Sequence, residues 1–175
     1  MLHEIIMAGF GGQGVLSMGK ILAEAALSED KQVSWLPSYG PEMRGGTANC
    51  NVVISNEEIG NPIVSMATTA IVMNKPSLDK FEKAVMFGGT LIINSSLIDR
   101  KSSRDDIKVF YVPANTIAGE LGNSKVANMV MLGAFLAVSS VVNRKSLEEV
   151  IEKNFNVASI AEINKQALAA GLESI

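Results

Sequence analysis

A chain of 175 residues with 47% hydrophobic content is long enough for one well-buried core and does not call for a second domain. Its net charge of −3, with no Lys- or Arg-rich stretch, argues against a nucleic-acid partner. One cysteine, Cys50, and one histidine, His3, exclude an intrachain disulfide, a self-contained iron–sulfur cluster and a zinc site.

The opening apolar run, Glu4 to Ala8, is short and stopped by glycines, as a buried parallel strand would be. No basic region precedes it, so it does not read as a signal peptide, and the expected setting is cytoplasmic. From Gln13 to Leu27, Val15, Leu16, Ile21, Leu22, Ala25 and Ala26 recur at helical spacing. A second strand, Gln32 to Leu36, is expected to close at Pro37. The segment Ser38 to Gly46 is too rich in Gly and Pro for a regular element and reads as a loop.

Thr47 to Ser55 alternates, with Ala48, Cys50, Val52 and Ile54 on one side and Asn49, Asn51 and Val53 on the other, so it reads as a strand with unequal faces. Further strands are predicted at Ala70 to Met73, Thr90 to Asn94 and Val109 to Val112, with a short helix near Leu78 to Val85. The last third reads as helical: Thr116 to Leu121, Val126 to Val142, Ser146 to Asn154 and Ser159 to Ala170. Ser146 with Glu149 suggests a capping box, and Gly171 a helix end.

This alternation predicts a single α/β domain, a three-layer α/β/α sandwich of Rossmann-like type around a parallel or mixed sheet. The apolar helix Val126 to Val142 is shorter than a membrane span and exceeds what one buried face requires, so burial by a partner is the favoured expectation. Met66, Met73, Met86, Met129 and Met131 read as core or contact filler. Cys50, unpaired and in apolar company, reads as an inert core residue.

Gly9-Phe-Gly11-Gly12-Gln13-Gly14 fits G-x-G-x-x-G after a strand and before a helix. Free amides at such a helix start, with the helix dipole, favour a phosphate, but the same glycines would also suit a plain tight turn. A nicotinamide cofactor is disfavoured, because the second strand ends in Trp35-Leu36-Pro37-Ser38 with no acidic residue for the ribose, and Glu29 and Asp30 precede the strand. No G-x-x-x-x-G-K-[ST] loop occurs.

Three stretches together, Met7-Ala-Gly-Phe-Gly-Gly-Gln-Gly-Val-Leu16, Ser38-Tyr-Gly-Pro-Glu-Met-Arg-Gly-Gly46 and Asn128-Met-Val-Met-Leu-Gly133, resemble the gamma subunit, or gamma domain, of 2-oxoacid:ferredoxin oxidoreductases. The likeness covers nearly the whole chain. The resemblance implies a subunit that helps bind coenzyme A as co-substrate, working with alpha, beta and delta subunits that carry thiamine diphosphate, magnesium and iron–sulfur clusters and reduce ferredoxin. It leans toward 2-oxoglutarate over pyruvate or branched-chain 2-oxoacids. The chain has no G-D-G followed by an N-N pair for magnesium diphosphate and no cysteine cluster. No catalytic residue and no metal ligand is therefore assigned to it.

On that resemblance the binding candidates are Gly9, Gly11, Gly12, Gln13, Gly14 and Arg44, with Tyr39, Glu42 and Asn128 behind them. Arg44, the one positive charge in its loop, suits a pyrophosphate or 3′-phosphate, or else pairs with Glu42 or an acid across an interface. Tyr39 has the shape to stack on a ligand, Glu42 to pair an arginine before serving as a base, and Asn128 to cap its helix before touching ligand. Two other functions remain open at this point: a free-standing nucleotide-binding dehydrogenase and a scaffold whose glycine loop is only a turn.

Overall fold

The computed structural model describes residues 1–39 and 47–175. Among these residues six strands form one sheet in the order β2-β3-β1-β4-β5-β6, made of β1 (Leu2–Phe10), β2 (Gln32–Tyr39), β3 (Thr47–Ser55), β4 (Ala67–Val72), β5 (Val85–Asn94) and β6 (Lys108–Val112). β1, β4, β5 and β6 run parallel, whereas β3 is antiparallel to both β1 and β2, so the sheet is mixed.

Among the described residues six α-helices cover it: α1 (Val15–Ser28), α2 (Lys75–Phe81), α3 (Ala114–Glu120), α4 (Ala127–Val138), α5 (Arg144–Asn154) and α6 (Ala158–Glu173). One face, carrying Ile5, Met7, Cys50, Val52, Ile71 and Ile92, packs under α1, α3, α4, α5 and α6. The other, with Ile6, Ala8, Val53, Ala70, Val72 and Leu91, packs under the short α2 and the segments around it. The domain is thus α/β with helices on both faces, and most of its core lies on the first.

Several expectations are corrected. β2 continues through Pro37 because it is an edge strand, where a residue that lacks an N–H can face outward without losing a ladder bond. α4 stops at Val138, not Val142: Ser139 is extended, and its hydroxyl accepts from Val141 N at 3.3 Å, a local bond that competes with the helix. Ser146 forms no capping box, since α5 starts two residues earlier, after Asn143, whose N–H donates to Glu29 Oε1 at 2.6 Å. Met66 and Met86 are exposed, while Met73, Met129 and Met131 are buried.

The largest corrections concern α4 and Gly171. α4 needs no partner chain to bury it, because every residue from Met129 to Phe135 is at most 1% exposed within this chain or a glycine in the buried set. Gly171 does not end α6 but lies inside it, where α4 crosses. A Cβ at Gly171 would sit 1.9 Å from the Val130 carbonyl oxygen, and one at Gly133 would sit 2.0 Å from that of Leu168. Two glycines, one per helix, let the backbones touch; the sequence pattern shows the residues but not their meeting.

Glu29 ties the far end of α1 to the start of α5. Its carboxylate accepts from Lys31 Nζ at 2.9 Å and from the Asn143 amide, and Lys31 also donates to the Val141 carbonyl oxygen. Burial alone would raise the Glu29 carboxyl; the bonds from Lys31, Asn143 and Ser146 outweigh it and hold the pKa at about 2 in place of 4.5. A carboxylate depressed in this way stabilises the fold above its unfolded value and loses that contribution as pH falls toward the folded one. Thermal melts between about pH 5 and pH 2 should therefore fall more steeply for the native protein than for Glu29→Gln; equal slopes would remove this lock.

Candidate functional site

The site is built where the parallel strands end. After β1 the chain turns through residues 11–14 into α1 on the first face and travels toward β2. After β4 it turns into α2 on the opposite face and travels toward β5. Where neighbouring connections diverge to opposite faces, a crevice opens beyond the carboxyl ends of the strands, and open α/β sheets take ligands there. Here that point lies between β1 and β4, with the glycine turn on its rim.

The turn is shaped from within. Gly12 and Gly14 have φ of 91° and 72°, left-handed values that side-chain-bearing residues rarely adopt. Gly9 is required by packing, since a Cβ there would lie 2.7 Å from Gln13 Oε1, 2.8 Å from Val15 and 2.9 Å from Met73. Gln13 folds back, its side-chain oxygen accepting from Phe10 N at 2.6 Å and from Asn74 Nδ2 at 3.4 Å. Gln13 is thus a strut of the turn. Gly11 is half-buried, and Gly12 is exposed with open space where its Cβ would be.

α1 starts at Gly14 with no side-chain cap and no acidic residue in its first turn. The first helical bond runs from Met18 N to the Gly14 carbonyl, so the amides of Val15, Leu16 and Ser17 have no partner within the helix. A 14-residue helix presents these amides and its positive dipole end, an arrangement suited to an anionic oxygen.

The floor beside it is made of neutral amides. Asn74, 2% exposed, caps α2 by accepting from Ser77 N at 2.9 Å. Asn94, fully buried at the end of β5, donates to the Met73 carbonyl at 3.3 Å and to Asn115 Oδ1 at 2.8 Å, and accepts from Ser96 N. Ser96 Oγ in turn accepts from Thr116 N at 3.1 Å. These bonds tie the ends of β4 and β5 to α3. Sequence reasoning missed Asn74, Asn94, Asn115, Ser96 and Thr116, although an apolar run closing on Asn at both Met73-Asn74 and Ile93-Asn94 was a readable signal.

Asn128 does not cap α4. Val126 holds that place without a side-chain bond, and the capping contact nearby is made by Asn123, whose Oδ1 accepts from Lys125 N. Instead Asn128 Nδ2 donates to the Gly14 carbonyl at 3.1 Å, linking the third resemblance motif to the first across 114 residues. Asn128 is 7% exposed, and its Oδ1 has no hydrogen-bond partner among the described residues. Leaving a buried acceptor unpaired costs about 1–3 kcal/mol.

Glu42, Arg44 and the side chain of Tyr39 lie outside the described residues. The strand ends on either side of residues 40–46 are nonetheless in register with the glycine turn: Tyr39 pairs with Ala48, Ala48 with Gly9, and Thr47 with Phe10. Cys50 is buried beneath α1, its thiol 3.7 Å from the Val15 carbonyl, and burial pushes its pKa up to about 12. A thiol so held remains protonated and is a poor nucleophile or metal ligand. Among the described residues no group of three or more His, Cys, Asp or Glu side chains can hold a metal ion, and no helix is long and apolar enough to cross a membrane.

Residues 4–174 match the family model described as pyruvate ferredoxin/flavodoxin oxidoreductase. The ketoisovalerate oxidoreductase subunit VorA of Methanothermobacter marburgensis is 42% identical over 172 residues, 97% of this chain but 36% of that protein, so the chain spans about a third of this relative's length. The 2-oxoglutarate synthase subunit KorC of the same organism is 38% identical over 182 residues, covering 100% of this chain and 97% of that subunit. Among solved structures, the gamma subunit of a keto/oxoacid ferredoxin oxidoreductase from Geobacter sulfurreducens superimposes with a TM-score of 0.85 at 30% identity, covering 98% of this chain and 97% of that one. With the family pattern running from β1 to α6 and the same architecture in a gamma subunit of that kind, the chain belongs to the pyruvate ferredoxin/flavodoxin oxidoreductase family.

Proposed function

We propose that this chain serves as the gamma subunit of a cytoplasmic 2-oxoacid:ferredoxin oxidoreductase and contributes part of its coenzyme A site. The overall reaction is the oxidative decarboxylation of a 2-oxoacid with coenzyme A to acyl-coenzyme A and carbon dioxide, with two electrons passed to ferredoxin. Companion alpha, beta and delta subunits supply thiamine diphosphate, magnesium and the clusters. The donor set of this chain fits that division: its one thiol is buried and held protonated, so it is no cluster ligand.

The observation that carries the reading is the uncapped start of α1 behind the glycine turn, at the switch point between β1 and β4. In this role the amides of Val15, Leu16 and Ser17 receive a phosphate of coenzyme A, with Gly9, Gly11, Gly12, Gln13 and Gly14 shaping the approach. Arg44 supplies the positive charge, and Tyr39, Glu42 and Asn128 line the surroundings.

Purification of the native assembly tests this directly. It should contain cluster-bearing and thiamine-binding partners, turn over only with coenzyme A, and show its highest kcat/KM with 2-oxoglutarate among a panel of 2-oxoacids; the isolated chain should be colourless and inactive. Turnover by the isolated chain would overturn the proposal. In the assembled enzyme, Arg44→Ala should raise KM for coenzyme A about tenfold with kcat nearly unchanged, the loss of roughly one charge-assisted hydrogen bond. An unchanged KM would reassign Arg44 to a subunit contact.

A further inference from the structure

The two outer strands of the sheet are built differently. β2 carries Pro37, whereas β6 reads Lys108-Val109-Phe110-Tyr111-Val112, β-branched and aromatic after its first residue and free of Pro and Gly. The backbone of β6 turns its even-numbered residues to β5: the Val112 carbonyl accepts from Ser95 N at 2.9 Å and the Asp106 carbonyl from Gly88 N at 2.9 Å, so Phe110 bonds to β5 as well. Val109 and Tyr111 therefore point their N–H and C=O groups outward, where they have no partner among the described residues. Tyr111 is 40% exposed and yet held in place, since its hydroxyl accepts from Ser102 N at 2.9 Å.

We propose that β6 is a self-association edge, on which a second copy of this chain lays its own β6 antiparallel about a two-fold axis through Phe110. In that register Val109 of each copy faces Tyr111 of the other, and each such pair exchanges both of its backbone bonds; Phe110 faces Phe110 as the central pair, where side chains come closest. These are aromatic-on-aromatic and aromatic-on-β-branched pairings, the kinds that stabilise neighbouring strands, and Lys108, the one charged residue of β6, meets Val112 and not its own counterpart. Sliding the strands one way sets Val109 against Pro113, which has no N–H; sliding them the other way sets Lys108 against Phe110. A second copy could offer its β2 to this edge only across Pro37, which lacks a donor, whereas β6 on β6 uses the same surface twice and closes at two chains.

A short edge contact is at the weak end of specific association, so the full chain should sediment as a dimer at about 100 µM and dissociate on dilution. Val109→Pro removes one outward donor from each copy and leaves the bonds to β5 in place; it should weaken the dimer at least tenfold while the melting temperature of the diluted chain changes little. Should that variant lose the fold, single cysteines decide. Phe110→Cys should cross-link two copies under mild oxidation, because the central pair lies within disulfide range, whereas Val109→Cys and Tyr111→Cys, whose own counterparts lie more than about 7 Å away, should not. The native Cys50 is buried and stays out of the reaction. Sedimentation as a single chain at every concentration, a dimer indifferent to Val109→Pro in a folded variant, or equal cross-linking of the three cysteine variants overturns the proposal. So does slow amide exchange of Val109 and Tyr111 that is confined to the native multi-subunit assembly, which gives the edge to a different subunit.

Discussion

Gly171→Ala will destabilise the protein by about 3 kcal/mol or more, the upper part of what overpacking a closed core costs. For a domain of this size that corresponds to a fall of about 6–12 °C in Tm. The reason lies in the crossing of α4 and α6. The new methyl would lie 1.9 Å from the Val130 carbonyl oxygen and 2.9 Å from its Cα, both backbone atoms of a helix buried from Ala127 to Phe135. No side-chain rotation relieves such a clash, so the helices must separate, and the core on that face loses contact with them. Gly119→Ala is the matched control, since it is also helical but has nothing within 4 Å of the added Cβ; it should be neutral or slightly stabilising. Denaturation midpoints for the two variants provide the check, and an unshifted midpoint for Gly171→Ala would mean that the helices do not approach so closely.

The second large effect is expected at the site. Gly14→Ala imposes a left-handed conformation on a residue with a side chain, which costs about 1–2 kcal/mol, and drives the new methyl to 2.4 Å from Asn128 Nδ2. Asn128 is displaced, and its bond to the Gly14 carbonyl goes with it. If the turn holds coenzyme A as proposed, coenzyme A affinity in the native assembly should fall at least tenfold, the equivalent of one lost hydrogen bond. Gly12→Ala separates strain from contact, because its φ is also positive but its Cβ would point into open space. It should lower stability by about 1 kcal/mol and leave binding less affected. Equal coenzyme A affinity in native protein and Gly14→Ala would remove the glycine turn from the binding site.

How much of this was legible in the sequence depended on whether the signal was local. β3 has the predicted bounds, Thr47–Ser55, because its alternation reports two unlike faces and needs no knowledge of the neighbours. The glycine motif runs from the last two residues of β1 to the start of α1, as its spacing required. What escaped was set by partners distant in the chain. An edge position excuses Pro37, Glu29 at the end of α1 fixes where α5 starts, and α6 covers a helix whose uniform apolarity suggested another protein. The site followed the same rule. Gly14 stood out from its motif, but Asn128 looked like a helix cap until its amide was seen on Gly14, and the asparagines closing β4 and β5 gain meaning only when those strands lie side by side.

The proline in β2 bears on how this molecule meets its neighbours. An exposed outermost strand is a template on which a foreign polypeptide can continue the ladder, which leads to aggregates as readily as to specific complexes. With no donor at Pro37, any strand laid along that margin would lose a bond midway through the register. The margin is thereby made unattractive to lateral growth.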